Sequence, residues 1–112
     1  FIGAVCRYLI GLIPINERCD FPIKTLIVNI IGSFIIGIIV ALAVHKNSLN
    51  PKIILFIKVG ICGGFTTFSS FALETGDLIS KGKVYLALLY IILSIVAGLL
   101  AVYLGQEIIR RV

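Results

Sequence analysis

Apolar runs separated by short polar stretches take up almost the whole chain. The first, Phe1–Ile13, has Arg7 in its middle and stops at Pro14. A polar connection with Asn16, Glu17, Arg18 and Asp20 leads to Pro22. The second run, Thr25–Val44, is 20 residues without a charge, which is about the length a helix needs to cross a bilayer. His45–Asn50 turns the chain, and Pro51 suits the first turn of the next helix, where a missing N–H costs nothing. The third run extends from about Ile53 to Ile79, and Ser80–Lys83 forms a short turn. The fourth, Val84–Leu104, is again uncharged, and Arg110-Arg111 close the chain. The pattern predicts an all-α membrane protein: one domain over residues 1–112, with four transmembrane helices and short loops. The first run is shorter than a span requires. No cleavage-site pattern follows it. The expectation is therefore that several N-terminal residues are missing, not that the chain opens with a signal peptide.

The third run differs from the others. Gly60-Ile61-Cys62-Gly63-Gly64-Phe65-Thr66-Thr67-Phe68-Ser69-Ser70-Phe71 places a helix-breaking glycine pair before alternating hydroxyls and rings. Non-helical backbone at membrane depth is tolerated where it meets protein, water or an ion. Broken helices there commonly hold ion sites. The expectation is a third helix broken at its centre, at Gly63-Gly64, in a protein that moves something small across the membrane.

Composition agrees. Of 112 residues, 60% are hydrophobic and 13% charged, and mean hydropathy is +1.18. Soluble domains are less apolar and about a quarter charged. Four spans leave no room for a soluble domain or a nucleotide site. The net charge of +5 lies in short loops and ends, where it meets lipid headgroups more readily than nucleic acid. Cys6, Cys19 and Cys62 give no disulfide framework. With His45 the one histidine, no zinc-type cluster is expected.

Loop charge is nearly balanced: Lys46, Lys52, Lys58, Arg110 and Arg111 on one side, Arg18, Lys24, Lys81 and Lys83 on the other. Orientation follows an excess of Lys and Arg on the cytoplasmic side. A balance this close predicts weak orientational preference, hence insertion both ways; residues preceding Phe1 could equally supply a bias.

Thr25, Asn29, Ser33, Gly37 and Ala41 recur every four residues along the second helix. Small residues at that interval allow close helix packing. Asn29 adds an amide with two donors that could face an anion or bond another helix. Tyr90, Ser94 and Gly98 repeat the spacing on the fourth helix, where packing plus one hydrogen bond would also account for them. Together with Asn29, Ser69 and Ser70 they form a polar track of donors without acid or base. Such a track suits a dehydrated ion and not an enzyme. Phe68 and Phe71 share a helical face; they either pack or turn their positive ring edges to an anion. Arg7, Lys58 and Glu74 are ionisable groups in or near apolar segments, which makes them functional candidates. Arg7 could concentrate anions, pair with Glu74 or snorkel, and Glu74 could stand at a pore end.

These residues resemble the Fluc/CrcB family of fluoride channels over nearly the whole chain. Gly3-Ala4-Val5-Cys6-Arg7-Tyr8 is similar to its GAxxRY, and Thr25–Phe34 to its TLxVNxxGSF. Gly63–Phe71 is similar to its GGFTTFSTF, with Glu74 three residues on, and Tyr90 and Ser94 match the polar pair of its fourth helix. The third motif is the specific one. The resemblance implies an antiparallel dual-topology dimer with two fluoride pores and a structural sodium ion at the dimer centre. The sodium would be held by the backbone carbonyls of Gly63 and Thr66. It further implies Asn29, Phe68, Phe71, Ser69, Ser70, Tyr90, Ser94 and Glu74 along the pore, and Arg7 and Thr25 at the vestibule. Two departures stand out: Lys24 replaces a small residue, usually glycine, and Ser70 replaces threonine. The dimer could pair identical chains, which the loop charges favour, or two unlike ones.

Other classes remain. A small multidrug exporter has this size and helix count, but should carry a glutamate in its first helix for proton exchange; the first run has Arg7 and no acid. A non-transporting scaffold would explain the small-residue stripes and leave Asn29 unexplained.

Overall fold

A computed structural model describes residues 1–14, 21–45 and 49–112. Arg18 and Lys46 of the loop-charge comparison lie outside the described residues, as do Glu17, Cys19 and Asp20. Among the described residues every regular element is helical: α1 (Ile2–Gly11), α2 (Ile23–His45), α3 (Pro51–Leu55), α4 (Gly63–Phe65), α5 (Phe68–Ser80) and α6 (Val84–Arg111). A π-helical stretch, Phe56–Cys62, joins α3 to α4.

Three helical segments, Ile23–His45, Pro51–Ser80 and Val84–Arg111, are long and apolar enough to cross a bilayer, so the chain is a multi-pass membrane protein. Helix α1 is a shorter apolar helix of 10 residues. Large side chains such as Tyr85, Leu99 and Val59 are exposed around the bundle. In a membrane such faces meet lipid or another subunit, without the penalty that water would impose.

Helices α2 and α6 form the main packing pair. Gly37 lies against the backbone carbonyl of Val102, and Gly105 against that of Phe34; a β-carbon at either position would overlap the oxygen. Their small size sets the close approach of the two helices, the packing half of the α2 stripe. A second core joins α5 to α6, where Leu78, Ala87 and Tyr90 are buried beneath Phe21, Leu26, Phe71 and Leu86.

The third segment departs from its expected form. Asn50 caps α3 by accepting from the Lys52 N–H at 2.9 Å, with Pro51 in the first turn. The glycine pair, expected to interrupt the helix, is itself helical in α4. Extended backbone comes at Thr66 (φ −79°, ψ 156°) and Thr67 (φ −148°, ψ 116°) instead. Gly64 serves contact with α1. A β-carbon on Gly64 would sit 3.3 Å from the Ala4 nitrogen, and one on Gly3 would overlap the Ile61 carbonyl oxygen. Small residues on both sides thus let α1 lie directly against α4. Thr67 then starts α5, its hydroxyl accepting from the Ser70 N–H at 3.1 Å, the usual use of threonine at a helix N-cap.

Candidate functional site

Main-chain groups of the non-helical pair Thr66-Thr67 need partners that a helix would otherwise supply. Asn29 on α2 provides two. Its Oδ1 accepts from the Thr67 N–H at 2.8 Å, and its Nδ2 donates to the Thr67 carbonyl at 3.1 Å. In an uninterrupted helix the Thr67 N–H would bond the Gly63 carbonyl, and the Ser70 N–H the Thr66 carbonyl. Both donors are diverted, one to Asn29 and the other to the Thr67 hydroxyl. The Thr66 hydroxyl and N–H both turn back to the Cys62 carbonyl, each at 2.9 Å.

A second cluster lies one helical turn along α5. The Glu74 carboxyl accepts from Thr25 Oγ1 at 3.0 Å and from the Tyr90 hydroxyl at 3.2 Å, which ties α2, α5 and α6 together. Tyr90 is fully buried. Its ring packs on Phe71 (5.0 Å between centroids) and edge-on to Phe21 (5.6 Å). The sequence offers Arg7 as a partner for Glu74; the structure gives each carboxyl oxygen a hydroxyl donor instead, from Thr25 and Tyr90.

Two cavities flank these groups. One, of about 400 Å³, is lined by Arg7, Tyr8, Lys24, Thr25, Ser70 and Glu74 with Ala4, Gly11, Val28 and Thr67. The other, of about 270 Å³, is lined by Asn29, Ser33, Thr67, Phe68, Phe71 and Ser94 with Ile95 and Gly98. Most of the sequence-designated residues therefore sort into two adjoining spaces, a charged one and an aromatic one. The Phe68 and Phe71 rings stand 5.7 Å apart. Phe68 is 77% exposed while Phe71 packs inward on Tyr90. Ser94 Oγ is buried without a hydrogen-bond partner among the described residues. Ser69 lines neither space and instead shares a 3.2 Å hydrogen bond with the Thr67 hydroxyl. Tyr90 sits behind the lining, reaching it through Glu74.

Sequence reasoning assigned no role to Thr67, the residue common to both cavities. Its signal was available: a hydroxyl residue directly before Phe68-Ser69-Ser70 marks a helix start. Ser33 counted only as part of a packing stripe, yet it lines the aromatic space. Lys24, noted for departing from the usual glycine, lines the charged one and donates to the Gly11 carbonyl at 2.8 Å.

A family model described as CrcB-like protein, Camphor Resistance (CrcB), matches residues 1–106. The chain belongs to the CrcB family. Several relatives carry the name fluoride-specific ion channel FluC. The one from Ruminiclostridium cellulolyticum is 43% identical over 113 residues, covering 100% of this chain and 87% of the relative. The protein from Azobacteroides pseudotrichonymphae genomovar. CFP2 is 43% identical over 105 residues, covering 93% and 84%. That from Agrobacterium fabrum is 40% identical over 111 residues, covering 98% and 89%. The match of this CrcB-family chain runs through both cavities and the extended pair between them.

Proposed function

We propose that the chain is a fluoride channel that lets cytoplasmic fluoride leave passively. The observation that carries this reading is the alignment of nearly the whole chain with proteins named fluoride-specific ion channels. The chemistry supports it. Fluoride is small and strongly hydrated, so a path for it must replace water with hydrogen-bond donors. Ser94 Oγ, unpartnered among the described residues in the aromatic cavity, offers one; Thr67, Ser33 and the second N–H of the Asn29 amide adjoin it. Phe68 and Phe71 supply ring edges, weak anion ligands that let an ion leave as readily as it enters. Arg7 in the charged cavity draws anions in, Thr25, Ser70 and Glu74 extend that vestibule, and Ser69 and Tyr90 act from behind the lining through their bonds to Thr67 and Glu74.

Direction comes from thermodynamics. Hydrogen fluoride enters cells neutral and dissociates inside, and a potential negative inside then drives the anion outward by about 2.3 kcal/mol per 100 mV. No energy-coupling residue is required. Family membership sets aside the exporter and scaffold readings.

The working unit in this proposal is an antiparallel dual-topology dimer with α1 as the fourth span and the third span interrupted at Thr66-Thr67. The exposed Phe68 ring and the exposed Gly63 support it, as groups a second subunit would cover. A structural sodium ion fits the donor set. The helical donors to the Gly63 and Thr66 carbonyls are diverted elsewhere, and two such oxygens from each subunit make four hard ligands for a monovalent cation. When bound, sodium would supply the positive charge that keeps these oxygens together. Asn29 and the Thr67 hydroxyl are what expose them.

Growth tests the function. In bacteria lacking fluoride export, expression of this chain should restore growth in millimolar-range fluoride and lower intracellular fluoride. Unchanged sensitivity with the protein present in the membrane would contradict the proposal.

A further inference from the structure

We propose that Lys24 is a charge-bearing capture residue for the permeating anion, working beside Arg7 in the larger cavity; this rests on the channel reading above. Lys24 stands in the first turn of α2, the end of a helix where a cation is electrostatically disfavoured. Its ammonium is drawn instead to the C-terminal end of α1, donating to the Gly11 carbonyl at 2.8 Å, where a cation is favoured. That bond holds the amine at the cavity lining, and only one of its three donors is spent on it. Among the described residues, the charged groups lining the cavity are Arg7, Lys24 and Glu74. Both Glu74 oxygens already accept from Thr25 and Tyr90, so the carboxyl is turned to its own partners. Two cations against one acid make the described lining net positive whether or not Glu74 carries its proton. A cleft lined by one sign of charge between low-dielectric walls concentrates counter-ions and raises their entry rate. Lys24, a compact and strongly hydrated charge, suits a small hard anion such as fluoride without binding it tightly enough to stop it.

The test uses liposomes loaded with potassium fluoride, with external ionic strength varied by an impermeant salt. Lys24→Gln removes the charge but retains a donor for the Gly11 carbonyl; Lys24→Arg retains both. At low ionic strength Lys24→Gln should release fluoride about 3- to 10-fold more slowly at sub-saturating concentrations. Maximal flux should change little, and the deficit should shrink as the Debye length falls below about 10 Å. Lys24→Arg should release near the unsubstituted rate. A Lys24→Gln deficit independent of ionic strength, or no deficit at all, would overturn the role of Lys24 while unsubstituted flux leaves the channel reading standing. No release from the unsubstituted chain would overturn both.

Discussion

The side-chain amide of Asn29 pairs twice with the main chain of Thr67, at 2.8 and 3.1 Å. A peptide-like group on α2 therefore does for Thr67 what the helix would have done. It also spares the Gly63 carbonyl its usual donor.

Asn29→Asp keeps an acceptor for the Thr67 N–H but loses the donor to the Thr67 carbonyl and, when ionised, adds a negative charge beside the aromatic cavity. Fluoride flux should fall on the order of 10-fold or more, each factor of ten being about 1.4 kcal/mol in barrier. Asn29→Ala should lose both bonds, and with them about 1–3 kcal/mol of stability, from a main-chain pair left without partners. Flux assays beside thermal unfolding in detergent separate the two effects, since only the aspartate adds charge.

Thr67→Ala removes the N-cap of α5 and should cost about 1 kcal/mol. Thr67→Ser keeps the hydroxyl and should stay close to the unsubstituted protein. Unfolding midpoints of the pair check this, and an equal loss in both would show that the hydroxyl is not the determinant.

The spans were legible from hydropathy because α2 and α6 are apolar all round, and a lipid-exposed helix has no polar face to obscure its length. The place where the third segment leaves the helix was not. Gly63-Gly64 looks like a breaker in isolation, whereas the smallness of Gly64 answers to the approach of Gly3 and Ala4 on α1, a contact between distant parts of the chain. The link between Asn29 and Thr67 spans 38 positions and leaves no local trace. Glu74 was visible as a candidate, but its partners Thr25 and Tyr90 come from two other helices.

Gly37→Ala should separate α2 from α6, because the new methyl would meet the Val102 carbonyl. Overpacking of this kind costs about 1–3 kcal/mol. Gly11→Ala is the control, since nothing stands within 4 Å of its β-carbon position. Unfolding midpoints should drop for the first and hold for the second.

Tyr90→Phe keeps the ring packing on Phe71 and Phe21 and removes one of the two hydroxyls on Glu74. A loss of about 1 kcal/mol is expected for one such bond. Thr25→Val removes the other, and the double variant should lose more than the sum of the singles if the three groups act as a network. Strict additivity, measured by unfolding of all four proteins, would show independent contacts.

Selective fluoride conduction is the central claim, and paired efflux from proteoliposomes tests it most directly. Vesicles loaded with potassium fluoride or potassium chloride are followed with ion-selective electrodes after valinomycin is added to carry the potassium. Rapid release of fluoride with chloride retained is the predicted result. Equal release of the two anions, or retention of both by correctly folded protein, would contradict it.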